Sequence, residues 1–190
     1  MSRPRSFEPD EALHAIKDVF WRKGYEATSM RDIEAETGLN KQSLYRLFGD
    51  KRGMYLRALA DYEERELQEV LDKLWLDGSP KERFSRLFQH ITDDDILRSD
   101  RRGCFLCNAS VDQAQIDPGT GKLVEEMTKR LLDGFSGALM RDRSYEVDKG
   151  KTERASAHMM AAYFGLRVLI KANQPKNVLH YAAGAAISQI

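Results

Sequence analysis

The stretch Thr28–Lys51, TSMRDIEAETGLNKQSLYRLFGDK, decides how this chain folds. Ser29-Met30-Arg31-Asp32 opens it with a helix-start pattern, in which a hydroxyl caps a backbone N–H and a carboxylate three residues on reaches back. Met30, Ile33 and Thr37 fall at helical spacing and give that helix one inward face. Gly38 marks its end, because helices commonly close on a left-handed residue that glycine adopts at little cost. Asn40 is a good N-cap for a second helix, and Leu39 with Leu44 has the spacing of a hydrophobic staple. Two short helices around Gly38-Leu39 are therefore predicted, in the shape of a helix-turn-helix DNA reader.

In the second helix Leu44, Leu47 and Phe48 share one face. At about 100° per residue, Gln42 and Arg46 point roughly opposite, with Lys41, Ser43 and Tyr45 on the flanks. This outward set suits a helix placed in a major groove. Gln reads adenine, Lys reads guanine, Ser reads either, and Arg or Tyr holds phosphate or base. Gly49-Asp50 closes the helix and caps the next one, which puts Lys51 and Arg52 in a first turn whose free N–H groups also favour a phosphate. Caps, turn and charges alone would equally describe a solvated helical hairpin. The wording of the motif separates the two readings.

From Phe20 to Tyr62 the chain resembles the DNA-binding domain of the tetracycline-repressor-like (TetR) transcriptional regulators. The matching residues are Phe20, Gly24-Tyr25, Thr28-Ser29, Ile33, Gly38, Ser43-Leu44-Tyr45, Phe48, Lys51 and Leu56. This resemblance covers the first third of the chain; the rest is similar only in being all-helical. It implies an all-α fold, with a three-helix helix-turn-helix domain at residues 1–52 and a helical ligand-binding and dimerisation domain at 53–190. It also implies a homodimer on a pseudo-palindromic double-stranded DNA operator, released by a small-molecule effector or by thiol modification. The candidate DNA-contacting residues are Thr28, Ser29, Lys41, Gln42, Ser43, Tyr45, Arg46 and Lys51.

Composition bounds this reading. At 190 residues, 42% hydrophobic and 32% charged, the chain is long enough and apolar enough to bury a core. Its formal net charge is zero, so no broad basic surface draws it to nucleic acid. The local balance differs: Lys41, Arg46, Lys51 and Arg52 stand against Asp50 alone, which predicts binding through specific contacts and dimerisation. No leader opens the chain and no apolar run approaches the roughly 18 residues of a membrane span, so a cytoplasmic protein without a membrane partner is expected. Two cysteines in a reducing compartment do not predict a structural disulfide.

The remaining chain reads as helices and breaks. Met1–Phe7, with Arg3 and Arg5, is a terminal arm, frayed or reaching a minor groove. A first helix opens at Pro9, carries Ala12, Leu13, Ile16, Val19 and Phe20 inward, and ends at Gly24; His14 is a surface or boundary histidine. One long helix is predicted from Asp50 to about Leu76, with Met54, Leu59, Tyr62, Val70, Leu71 and Leu74 inward and Asp61, Glu63, Glu64, Arg65 and Glu66 solvated. Ser79-Pro80-Lys81-Glu82 starts another helix, with Phe84, Leu87, Phe88 and Ile91 on one face. Thr92–Asp95 lacks the glycine and distant glutamate of a calcium loop and reads as a helix end or exposed loop.

Arg101-Arg102-Gly103-Cys104-Phe105-Leu106-Cys107 resembles one branch of the family in which a cysteine near this place senses electrophiles or oxidants. A helix N-terminus and nearby arginines would lower a thiol pKa there, whereas buried cysteines are also ordinary packing residues. Cys104 and Cys107 are thus redox candidates. Asp117–Gly121 breaks the chain before a helix bearing Leu123, Met127, Leu131, Phe135 and Leu139; Arg141–Gly150 is a predicted loop. Two small-residue-rich helices close the chain, about Thr152–Ala172 and after Pro175, and in the family such helices pair with their copies. Phe84, Phe88, Phe105, Met127, Phe135 and Tyr163 are candidate effector-pocket linings, or plain core. No metal, cofactor or catalytic set is indicated. The rival readings are an activator on the same fold and a redox enzyme working through its two cysteines.

Overall fold

A computed structural model describes residues 9–97 and 102–190. The Met1–Phe7 arm and Arg101 lie outside them. Among the described residues every regular element is helical, and the fold is all-α. Helix α1 (Pro9–Lys23) has Asp10 and Glu11 in its first turn and Arg22 and Lys23 in its last, each sign where the helix dipole favours it. Helices α2 (Met30–Thr37) and α3 (Lys41–Phe48) follow, then α4 (Lys51–Tyr62).

The predicted long helix from Asp50 is not one plain α-helix. After Tyr62 it widens into a π-helical turn, Glu63–Leu67, before α5 (Gln68–Leu74). The predicted inward residues are buried, but so is Asp61, which was expected in solvent. Its partner explains this. Lys17 of α1 is fully buried and its Nζ lies 2.7 Å from Asp61 Oδ2, while Arg65 Nε donates to Oδ1 at 2.8 Å. Burial alone would raise the Asp61 pKa; the bonds from Lys17 and Arg65 outweigh it and hold the carboxyl below its ordinary range.

Helix α6 (Pro80–Leu97) begins at the reciprocal cap expected of Ser79 and Glu82: the Ser79 N–H donates to Glu82 Oε2 at 2.7 Å. Thr92–Asp95 lies near its described end at Leu97, as the helix-end reading expects; the alternative of an exposed loop is not found, since the segment is helical. Thr92 is buried because its hydroxyl donates to the Phe88 carbonyl at 2.9 Å, and Lys176 meets the Asp93 carboxylate at 2.8 Å. Helices α7 (Phe105–Asp112) and α8 (Pro118–Met140) come next. The predicted loop at 141–150 contains a one-turn helix, α9 (Arg143–Glu146), capped by Asp142 and anchored by buried Tyr145, whose carbonyl accepts the Thr152 hydroxyl at 2.7 Å. Helices α10 (Lys149–Lys171) and α11 (Lys176–Ile187) end the chain.

Two compact units result. The first comprises the described residues up to Arg65 together with Asn108–Val124; the second is Glu66–Cys107 with Glu125–Ile190. In the first, Phe20, Tyr25 and Tyr55 form a ring cluster with Tyr55 edge-on to both neighbours at 5.1 and 5.0 Å. In the second, edge-on rings run from Phe84 to Phe135 at 5.3 Å and on to Tyr163 at 5.9 Å. Among the described residues no helix is long and apolar enough to cross a membrane.

Candidate nucleic-acid interface

The candidate interface lies in the first unit, on α3. Its supporting helix α2 starts where Ser29 accepts the Asp32 N–H at 3.2 Å and Asp32 accepts the Ser29 N–H at 2.8 Å. Lys23 Nζ sits 2.6 Å from the same carboxylate; its bond, with those of Ser29, holds Asp32 well below the usual carboxylate range. Arg22 and Glu36 make a second α1–α2 ion pair at 2.9 Å. Gly38 closes α2 in the left-handed region at φ 69°, with its N–H on the Glu34 carbonyl at 2.9 Å. Asn40 then caps α3, its Oδ1 accepting the Ser43 N–H at 2.9 Å. Both short helices are therefore held by side chains at their ends, which propensity alone does not secure over eight residues.

Leu44 and Phe48 are buried, so α3 is fixed by its inner face. Lys41, Gln42 and Arg46 are exposed, Tyr45 is 41% exposed, and Ser43 is half-buried on the flank. Lys41 Nζ rests 5.3 Å from the Tyr45 ring, which keeps a cation beside an aromatic on the outer face. Of the other candidate residues, Ser29 is exposed, while Thr28 is buried with its hydroxyl donating to the Gly24 carbonyl at 2.7 Å. Lys51 is half-buried with Nζ 4.5 Å from the Tyr25 ring.

Arg52, expected near a phosphate, is turned to a carboxylate of its own chain. Its Nε donates to Asp117 Oδ1 at 2.6 Å and its Nη2 to Oδ2 at 3.3 Å. Asp117 also caps α8, accepting the Thr120 N–H at 2.8 Å. The Arg52 bond, against slight burial and with Thr120 adding to it, pulls the Asp117 pKa down to about 2. Reading the sequence missed this contact and the Lys17–Asp61 pair. The Asp117-Pro118-x-Thr120 start pattern was a usable sign of the cap, but not of the arginine 65 residues away.

In the second unit, Phe84, Phe88, Phe105, Met127, Phe135 and Tyr163 are all buried. Phe84, Phe88, Phe135 and Tyr163 stack edge-on through one another. A groove of about 300 Å³ lies between α6 and α11; of the six, Phe88 alone lines it, beside Ser85, Thr92, His180 and Ile187. Cys104 is buried just before α7, and Cys107 is half-buried. Burial, with Cys104 beside it, pushes the Cys107 thiol up, contrary to the expected lowering. Among the described residues no cluster of His, Cys, Asp and Glu is arranged to hold a metal.

Comparison with known proteins places this arrangement. The family described as "Bacterial regulatory proteins, tetR family" matches residues 12–58. Over 159 residues the chain is 32% identical to YezE, an uncharacterized HTH-type transcriptional regulator of Bacillus subtilis, covering 83% of this chain and 81% of that protein. The transcriptional repressor BdcR of Escherichia coli is 39% identical over 72 residues, 38% of this chain and 36% of its own. Among solved structures, a cysteine mutant of the TetR family regulator CifR, complexed with 26-base-pair double-strand operator DNA, superposes with a TM-score of 0.83 at 26% identity, over 98% of each chain.

Proposed function

Because this chain belongs to the TetR family of transcriptional regulators, we propose that it is a cytoplasmic homodimeric repressor of a pseudo-palindromic operator, one α3 per half-site. Residues 1–52 serve as the reader and 53–190 as the regulatory and dimerising part. One observation carries this reading: α3 buries Leu44 and Phe48 while presenting Lys41, Gln42, Tyr45 and Arg46 outward together. Gln42 and Lys41 would read base edges, Ser43 either base, and Tyr45 and Arg46 phosphate or base, with Ser29 and Lys51 at the backbone; Thr28, whose hydroxyl donates to the Gly24 carbonyl, would support the turn before α2. The operator complex of CifR and the repressor role of BdcR support it. Membership in a family of transcriptional regulators favours this reading over the redox enzyme.

Dimerisation is supported by the outer faces of α10 and α11. Ala157, Ala161, Gly165 and Val168 are exposed along α10; Tyr181, Gly184 and Ala185 are exposed on α11. A Cβ at Gly165 or Gly184 would meet no atom within 4 Å beyond its own stretch of helix, which leaves both faces open to close helix approach. A small apolar effector, bound among the aromatic residues of the second unit, would favour a conformation that fits DNA less well. Burial of Cys104 and the raised Cys107 thiol favour such an effector over direct thiol modification.

The test is selection of bound duplexes from a random pool by the purified protein. Enrichment of an inverted repeat, bound at two chains per duplex, is the expected result. No enrichment at low salt would sink the proposal. The same binding in a Cys104→Ser/Cys107→Ser variant after oxidant treatment decides the thiol route.

A further inference from the structure

The three acids of α2 have three different tasks. Asp32 and Glu36 tie α2 back to α1 through Lys23 and Arg22. Glu34 reaches forward instead: its Oε1 accepts the backbone N–H of Lys41 at 2.7 Å, across the Gly38–Asn40 turn. The first N–H groups of a helix have no partner within it, and on a reading helix they commonly meet a phosphate. Here an acid of the protein itself holds the first of them, at the end of α3 where the helix dipole favours negative charge. With Asn40 on the Ser43 N–H, two side chains, one from each side of the turn, clamp the first turn of α3.

We propose that Glu34 is a positioning residue for DNA reading. It touches no base; it fixes the angle of α3 on α2, so that Gln42, Tyr45 and Arg46 approach the groove as one rigid set. The inference rests on α3 being the reading helix. A loose turn would leave the same side chains on a helix that must be ordered at each encounter, and ordering lowers affinity.

The experiment compares the full-length chain with Glu34→Gln, which keeps the carbonyl acceptor without the charge, and Glu34→Ala, which keeps neither. Two quantities are read: hydrogen exchange at the Lys41 amide by NMR, and affinity for a duplex selected by the wild-type protein. In Glu34→Ala the Lys41 amide should exchange at least about tenfold faster and affinity should fall about tenfold, the worth of one charge-assisted hydrogen bond. Glu34→Gln should stay within about threefold of wild type on both. Unchanged exchange in Glu34→Ala overturns the proposal, as does equal loss of affinity in both variants. Tighter binding by both would mark Glu34 as an acid that merely repels phosphate, and would overturn it too. If Glu34→Ala fails to fold, Glu34→Gln decides: fast exchange at Lys41 or weak binding overturns the proposal, and wild-type values uphold it. A wild-type protein that enriches no duplex would instead sink the DNA reading, while the exchange data would still report whether Glu34 holds α3.

Discussion

Helices α2 and α3 have eight residues each, and α8 and α10 have twenty-three. The short pair is held by groups at its ends: Ser29, Asp32, Gly38, Asn40 and the ion pairs to Arg22 and Lys23. The long pair is held along its length, by buried Met127, Leu131, Phe135, Met159, Tyr163 and Leu166. The contrast follows from cooperativity, since a short helix is marginal in water unless capped or packed, and a long one can rest on a broad apolar face. A short helix therefore advertises itself by particular residues at particular steps, whereas a long one advertises only periodicity.

This difference can be broken experimentally, because Trp21 belongs to the first unit and Trp75 to the second, and these are the two tryptophans of the chain. Their fluorescence during denaturation reports each unit. Phe135→Ala should have the largest effect, about 4 kcal/mol from a large cavity in a fully buried ring cluster, seen chiefly at Trp75. Equal loss at Trp21 would show that the units unfold as one. Lys17→Met should cost about 3 kcal/mol, because it strands a buried Asp61 beside Arg65 alone. That loss should register at Trp21.

Gln42→Ala should leave stability unchanged and relax operator preference at one base pair per half-site, by about 2 kcal/mol of discrimination; selection of duplexes by the variant measures it. Asn40→Ala should cost about 1 kcal/mol of stability as a lost cap. The smallest effect belongs to Asp117. Its folded pKa near 2 lies below the ordinary value of about 3.9. The Arg52–Asp117 pair thus stabilises the fold above about pH 4 and loses that contribution as pH falls toward 2. Arg52 is half-exposed, so solvent screens the pair and keeps the contribution small. Asp117→Asn should flatten the stability profile within that window, losing the small contribution at neutral pH and matching wild type near pH 2.

How far the sequence could be read tracks the same contrast. The caps of α2, α3, α4 and α6 were legible because each joins residues three apart, a distance the sequence states directly. The outward set on α3 followed from its inward one. Lys17–Asp61 and Arg52–Asp117 span 44 and 65 residues, and nothing local to Lys17 or Arg52 marks them as other than surface cations. Thr92–Asp95 was half legible for the same reason: its place near a helix end could be read locally, whereas the pairing of Asp93 with Lys176 of α11 could not. The six aromatic and methionine candidates show the limit of periodicity. It marks them as inward, and it cannot distinguish a ring packed on its neighbours from one that lines a space.

The π-helical turn at Glu63–Leu67 has a consequence in arithmetic. Upstream, the buried residues step by four: Met54, Ala58, Tyr62, with Tyr55 and Leu59 beside them. Downstream they resume at Leu67, Val70, Leu71 and Leu74. From Tyr62 to Leu67 the step is five, one residue more than an α-helix spends per turn. The wide turn takes up that surplus, where an unbroken α-helix would carry a step of five about 100° further around its axis than a step of four. In the language of genetics it is a spare codon. Removing one residue between Glu63 and Glu66 should let the segment close as an ordinary helix with a step of four from Tyr62 to Leu67, whereas the same deletion within Tyr55–Leu59 would break the four-residue stepping of Met54, Ala58 and Tyr62 and turn part of that run out to water.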